Sequence, residues 1–245
     1  MSNEELKNEF NIHYNSIATQ SAPSIDNYEL SVYFTKAQLE IVKNYYDSLS
    51  NKKQKGFEGS EKRRIDLKEL IKTNLSNTIV ENYGNINVNS KFFKIPNDVF
   101  LIIYEKINVK LLNCEKLIDS SVVPVTHDEF NNNLNNPFKQ PNKTKTWRLS
   151  VSKINEENYV ELLNFNSLSN YYIRYIKYPN PIIISDLNID FPGENLKIDN
   201  LSTKQECQLN VSIHREIVDR AVQLALRDYK PSNLESKIQI DTRNE

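Results

Sequence analysis

The chain is poor in glycine, cysteine and histidine, and these shortages argue against several kinds of site. Four glycines among 245 residues argue against phosphate-binding loops, which need glycine so that the backbone can approach the ligand. Cys114 and Cys207 lie far apart, and the chain has three histidines. This pattern indicates neither a disulfide scaffold nor a zinc motif. We therefore expect reduced thiols, no metal and no cofactor.

Long apolar runs and a strong net charge are missing as well. No hydrophobic stretch approaches the roughly 18 residues that suggest a membrane-spanning helix, and the acidic beginning of the chain does not resemble a signal peptide. The net charge of −1 provides no general attraction to nucleic acid. The sequence thus predicts a soluble protein that contacts no membrane and is not exported by a classical route.

Recognisable catalytic motifs are absent too. The sequence has no P-loop, nucleophile elbow, HExxH motif or CxxC pair. A pair of Cys207 with His214 at a loop–helix junction is conceivable from the spacing. We predict that the protein is not an enzyme. An enzyme of unrecognised type would instead show a deep pocket whose polar residues have perturbed pKa values.

Asparagine is abundant, at about one residue in seven. Its side chain can bond to its own backbone, and the residue tolerates left-handed conformations. Because glycine is scarce, we expect asparagine to serve in the turns.

Helical periodicity marks the two ends of the chain. Apolar residues recur at helical spacing within residues 3–20, 28–49 and 60–75, and Ser212 opens a similar pattern that continues to Tyr229. The apolar stripes of the second and last helices match. We predict that six of their side chains share one core: Ile41, Val42, Tyr45, Ile217, Ala221 and Leu224.

Strand-like composition begins at about residue 91. Six segments rich in β-branched and aromatic residues follow, at 92–96, 99–112, 121–126, 147–151, 159–165 and 171–178. Thr126 and Glu129 form a capping-box pattern that opens a short helix, which we expect to continue to about Leu134. The predicted fold class is α+β: a helical bundle of three N-terminal helices plus a C-terminal helix, with an inserted antiparallel β region.

This pattern also predicts the domain organisation. Residues 1–90 hold the N-terminal helices of the bundle, and residues 91–205 form the β-rich insertion with a long loop. Residues 206–230 form the closing helix, and residues 231–245 form an extended C-terminal arm.

Three segments are candidates for contacts with other proteins. Residues 131–145 form a loop rich in asparagine and proline, and loops of this length are typically functional or poorly ordered. We expect it to be an extended arm that presents one aromatic side chain to another subunit. Strand 171–178 carries aromatics on both faces, and the polar tail has two alternating isoleucines, as a strand added to a partner's sheet edge would. The predicted interface residues are Pro137, Phe138, Pro141, Arg174, Tyr175, Lys177, Ile238 and Ile240.

Several phrases, in the same order along the chain, resemble one family. They are DNYELSVYFTKAQLEIVKNYY (26–46), GFEGSEKRRIDLKELI (56–71), PVTHDEFNNNLNNPFKQP (124–141), WRL (147–149), YYIRYIKYPNPIII (171–184) and HREIVDRAVQLALRDY (214–229). The family is the neck and ring proteins of crAss-like short-tailed bacteriophages, which are related to tail tubular adaptor proteins.

This resemblance implies a non-enzymatic virion protein of the head-to-tail connector, assembled in the host cytoplasm. It implies a ring of twelve copies that contacts the portal protein and adjacent neck or tail rings. Double-stranded DNA would pass through the lumen without sequence recognition. The neutral net charge suits a channel along which DNA slides.

One further alternative is a nucleic-acid-binding module. Arg63, Arg64, Arg174 and Lys177, interleaved with tyrosines, could bind phosphates and stack on bases. This alternative predicts one contiguous basic and aromatic surface together with a salt-dependent affinity for DNA.

Overall fold

The computed structural model describes residues 1–17, 24–46, 60–77, 79–80, 85–111, 116–154 and 156–229. The chain divides into two compact units. One unit contains Met1–Leu70 and Pro179–Glu245 and carries most of the helices, and the other contains Ile71–Tyr178 and carries the sheet.

The helices and strands have the following bounds. The helices are α1 (Asn3–Ile17), α2 (Asn27–Tyr46), α3 (Glu61–Asp66), α4 (His127–Leu134), α5 (Leu187–Asp190) and α6 (His214–Tyr229). The strands are β1 (Ile71–Ser76), β2 (Ile79–Val80), β3 (Ser90–Ile95), β4 (Val99–Lys110), β5 (Leu117–Pro124), β6 (Lys145–Ile154), β7 (Glu157–Leu163) and β8 (Ser167–Lys177).

The predicted fold class, a helical bundle with an inserted antiparallel β region, is wrong. The fold is a mixed α and β structure in which one eight-stranded sheet is the largest element. The third N-terminal helix is only six residues long, and the end of its predicted pattern forms strand β1. Ile71 and Leu75 are spaced as on a helix, but they lie opposite Ile176 and Tyr172 of β8. Cross-strand pairing therefore overrides the local helical spacing.

The sheet has the order β1-β8-β4-β5-β6-β7-β3-β2. Its pairs are antiparallel except β5 with β6, which are parallel. A parallel pair needs a crossover connection, and α4 with the turns after it provides one. Strand β1 contacts β3 near the other end of the order, so the sheet curls.

One apolar cluster fills the concave side of the curled sheet. Its buried members come from β3, β4, β7 and β8, where inward-facing residues alternate with residues of the opposite face. They are Phe93, Ile95, Ile107, Val109, Val160, Leu162, Leu168, Tyr171, Ile173 and Tyr175.

In the helical unit, α6 packs against both α1 and α2. Five of the six predicted core side chains are buried. The sixth, Tyr45, is half-buried, and its hydroxyl donates to Glu216 Oε2 over 2.7 Å. The predicted pairing of the second and last helices is therefore confirmed, although the bundle built around it is wrong.

Polar side chains of α2 fasten the buried extended segment 180–184. Ser31 Oγ accepts from the Ile184 amide over 3.0 Å, and Gln38 Nε2 donates to the Asn180 carbonyl over 2.9 Å. Thr35 Oγ1 accepts from the Ile182 amide over 3.1 Å. Thr35 and Gln38 have the spacing of a capping box, which would start a helix. Helix α2 is continuous across Thr35, so these two side chains bind segment 180–184 instead.

Asparagine occupies turn positions as predicted. Asn195 and Asn200 have φ values of 50° and 66°, which lie in the left-handed region that asparagine tolerates. Asn142 Oδ1 accepts from the amides of Thr144 and Lys145 over 2.9 and 3.0 Å. These asparagines fill roles that glycine would otherwise fill.

Candidate assembly surfaces

Helix α4 positions a loop that projects from the sheet unit. The helix begins at Thr126, whose hydroxyl accepts from the Glu129 amide over 3.4 Å, so the predicted cap is confirmed. Phe130 of α4 is buried edge-on against Trp147 of β6, with ring centroids 6.0 Å apart. This contact holds the middle of the helix against the sheet.

The loop after α4 is a compact hydrogen-bonded turn, which we call the Phe138 turn (residues 135–144). Asn136 Oδ1 accepts from the Phe138 amide, and the Lys139 amide donates to the Asn136 carbonyl, both over 3.0 Å. Asn164 Nδ2 donates to the Asn142 carbonyl over 2.8 Å and ties the far end to the sheet. The turn is therefore held in place by its own hydrogen bonds.

Phe138 lies at the tip of this turn, with 96% of its surface exposed. Pro137 beside it is exposed, whereas Pro141 is buried and anchors the turn. The loop thus presents one aromatic side chain, as predicted, but from a compact turn rather than an extended arm. A fully exposed phenylalanine on a rigid support is typical of a contact for another molecule.

A second surface lies on the convex side of the sheet, where β1, β8 and β4 meet. We call it the tyrosine face (Leu75, Tyr104, Lys106, Tyr172 and Arg174). Arg174 pairs in register with Tyr104, and Tyr172 pairs with Lys106 and Leu75. The rings of Tyr104 and Tyr172 meet edge to face with centroids 6.4 Å apart. Aromatic and arginine side chains of this kind are enriched in protein interfaces.

The cation at the centre of the tyrosine face is already engaged. Lys106 Nζ lies 5.7 Å from the centre of the Tyr172 ring and 2.9 Å from Asp119 Oδ2. Asp119 also accepts from Asn108 Nδ2 over 2.7 Å. The charge of Lys106 is therefore largely compensated within the subunit.

The remaining predicted interface residues have different environments. Tyr175 is buried, and its hydroxyl donates to Asp98 Oδ1 over 3.0 Å. Burial and this hydrogen bond raise the pKa of Tyr175 to about 12. Lys177 is half-buried, and Ile238 and Ile240 lie outside the described residues. Of the three predicted residues in this strand, Arg174 alone is exposed.

A third surface is a cleft between α1 and the start of α6 in the helical unit. We call it the helix cleft (Glu5, Glu9, Ile12, Val211 and Arg215), and its volume is about 610 Å³. Ile12 is 68% exposed and Val211 is 62% exposed. Arg215 Nε lies 3.4 Å from Glu9 Oε1. The other carboxylate oxygen of Glu9 is buried and has no hydrogen-bond donor among the described residues.

The sequence patterns did not predict the helix cleft or most of the tyrosine face. The signal for the cleft was Ile12, which lies off the stripe formed by Leu6 and Phe10 and is therefore exposed. The signal for the tyrosine face was the alternation in β4, where Tyr104 and Lys106 share the face opposite Ile107.

The perturbed pKa of Glu105 is explained by structural contacts. Burial raises the pKa of Glu105, against the opposing effects of Arg148 and Tyr171. Arg148 Nη1 donates to Glu105 Oε1 over 3.0 Å, and the Tyr171 hydroxyl donates to the same oxygen. This network joins β4, β6 and β8 inside the sheet unit.

Cys207 and His214 do not form the pair that their spacing allows. The Cys207 thiol lies 3.5 Å from Gln38 Oε1, and burial raises its pKa to about 11. His214 Nε2 lies 3.0 Å from the Leu209 carbonyl. Each side chain therefore has its own structural partner. Within the described ranges, no three His, Cys, Asp or Glu side chains are grouped to hold a metal ion.

The basic residues that could bind nucleic acid are divided between the two units. Arg63 lies over the ring of Tyr45, 5.4 Å from its centre, whereas Arg174 and Lys177 belong to the sheet unit. Among the described residues, the clearest surface feature is a set of exposed aromatic and aliphatic side chains. Such exposed contacts are the surface features expected of a structural protein that binds other proteins.

Comparison with known proteins gives the family. The model of the family described as phage tail ring protein 3/4 matches residues 1–236, and this chain belongs to that family. Ring protein 4/5 of Bacteroides phage crAss001 is 35% identical over 244 residues, which cover 98% of each chain. Ring protein 3 of the same phage is 34% identical over 228 residues, which cover 92% of this chain and 95% of that protein.

Family membership confirms the resemblance found in the sequence and defines a structural virion component. The family is one of ring proteins of the phage tail, not a known class of enzyme. None of the described helices has the length and apolar character needed to cross a membrane.

Proposed function

We propose that this chain forms a closed ring in the connector between the capsid and the tail of a phage. The observation that carries the proposal is the family match, which extends from residue 1 to residue 236. The relatives that match over nearly their whole length are themselves named as ring proteins. A family match over nearly the whole chain supports the same kind of assembly for this subunit.

The exposed surfaces support cyclic self-association. A ring requires two different, complementary surfaces on each subunit, because the contact is head to tail. The Phe138 turn and the helix cleft are two such surfaces, and they use different residues. The tyrosine face is a third surface, and we propose that it contacts an adjacent ring or the portal protein.

The ring we propose has twelve copies and a lumen through which double-stranded DNA passes. The net charge of −1 supports this role, because a strongly basic lumen would retain DNA by counterion release. Assembly in the host cytoplasm, before the tail is completed, follows from the same role.

The experiment is electron microscopy of the purified protein, alone and with its portal protein. We expect class averages with cyclic symmetry and a central channel, and a stacked complex when the portal is added. Particles without rotational symmetry under both conditions would contradict the proposal.

A second candidate function is binding of nucleic acid through the tyrosine face. The observation that favours it is the grouping of the exposed Tyr104 and Arg174 with the half-buried Tyr172, which could stack on bases and contact phosphates. The test is DNA affinity measured against salt concentration. A steep negative slope that Arg174→Gln makes shallower would favour this function, whereas no measurable affinity would favour the protein contact.

A further inference from the structure

We infer that Phe138 of one subunit inserts into the helix cleft of a neighbouring copy of the same chain. This inference rests on the proposed ring and names the surfaces that close it. The occupant is the Phe138 turn, with the phenyl group and the Lys139 ammonium as its two contacts.

The shape and polarity of the cleft fit an aromatic side chain. Ile12 and Val211 are more than half exposed, although both are apolar. Isolated exposed apolar residues are common, but these two line the same concave surface. The cleft volume of about 610 Å³ lies within the range of sites that enclose organic groups. It has room for a phenyl group and the backbone that carries it.

The charge of the cleft fits the residue next to Phe138. Among the groups that line it, the carboxylates of Glu5 and Glu9 are accompanied by the guanidinium of Arg215 and the amine of Met1. Glu9 Oε2 is buried without a donor in the described part of the chain, and a buried carboxylate oxygen that lacks a donor is costly. The Glu9 side chain is partly exposed, so a rotation of its carboxylate can present this oxygen to the exposed Lys139 as the phenyl group enters.

The Phe138 turn is suited to this role because it is already ordered. Its tip is fixed by Asn136, and Pro141 is buried at its base. A side chain held on a rigid turn loses little conformational entropy when it binds. Aromatic anchors that enter a pocket are the typical hot spots of protein interfaces.

The test uses two variants of the full chain that each disable one surface. Phe138→Ala removes the anchor and keeps the cleft, whereas Val211→Glu blocks the cleft and keeps the anchor. Phe165→Ala and Val88→Glu are the matched controls, because they make the same changes at other exposed positions. Thermal unfolding of all four should match the unmodified chain, since each altered side chain is exposed.

Self-association is measured by sedimentation velocity over a range of concentrations. We expect the unmodified chain and both controls to form the closed oligomer. Phe138→Ala and Val211→Glu should each weaken self-association at least about 30-fold, the size expected for a hot spot. Mixing the two variants should give a one-to-one heterodimer, because one intact anchor then meets one intact cleft. Lys139→Gln should make association less dependent on salt.

The outcomes separate this inference from the proposed function. If the unmodified chain forms rings and Phe138→Ala forms them equally well, the ring stands and the inference is overturned. If the mixed variants remain monomers, the two surfaces do not meet and the inference is overturned as well. If the unmodified chain is a monomer at every concentration, both the ring and the inference are overturned.

Discussion

The packing of α6 in the helical unit leads to a quantitative prediction for Leu224→Ala. Leu224 is 1% exposed, and α6 contacts both α1 and α2. Replacing a buried leucine by alanine removes transfer free energy and leaves a cavity, at a cost of about 2–5 kcal/mol. Because domains are stable by about 5–15 kcal/mol, the variant should lose a large share of its stability but still fold.

The assay is thermal unfolding followed by calorimetry and circular dichroism. For a chain of this length, a loss of 1 kcal/mol lowers Tm by about 2–4 °C, so we expect a decrease of about 4–20 °C. The matched control is Leu75→Ala, because Leu75 is 56% exposed and its replacement should cost about 1 kcal/mol or less. Equal shifts for the two variants would refute the reasoning that α6 closes the helical core.

Three further predictions concern other features. Thr126→Ala should destabilise the sheet unit by about 1 kcal/mol in urea unfolding, and Thr126→Ser should recover the loss, because the hydroxyl caps α4. Burial lowers the pKa of His214 in the folded state, although the Leu209 carbonyl opposes this shift. The contribution of this shift to the free energy of unfolding is present above the unfolded pKa of about 6.5. It is lost as the pH falls through the folded pKa. Unfolding at pH 7 and pH 5 should therefore differ less in His214→Asn than in the unmodified chain. Truncation after Tyr229 should leave Tm unchanged and reduce incorporation into the particle, since Ile238 and Ile240 alternate as in an added strand; normal incorporation would refute that role.

Local patterns predicted those elements that local interactions determine. The Thr126 cap and the amphipathic stripe of α6 depend on residues three or four apart, so both could be predicted. Strand β1 could not, because Ile71 and Leu75 are equally compatible with a helix until β8 pairs with them. The curl of the sheet and the parallel pair of β5 with β6 are likewise products of long-range pairing.

The candidate surfaces were predictable to different degrees. Phe138 could be identified because a lone aromatic stands in a polar loop. The helix cleft could not, because Ile12 and Val211 are distant in sequence and meet only when α6 packs on α1. The role of Tyr175 was also hidden, since the alternation of β8 does not show which face of the curled sheet is concave.

The measurement that tests the central claim most directly is native mass spectrometry of the purified full chain at increasing protein concentration. The account predicts one dominant closed species with twelve times the 28.6 kDa mass of the subunit, and no continuous ladder of larger species. A chain that remains monomeric at every concentration, or that grows into open polymers without a preferred size, would contradict it.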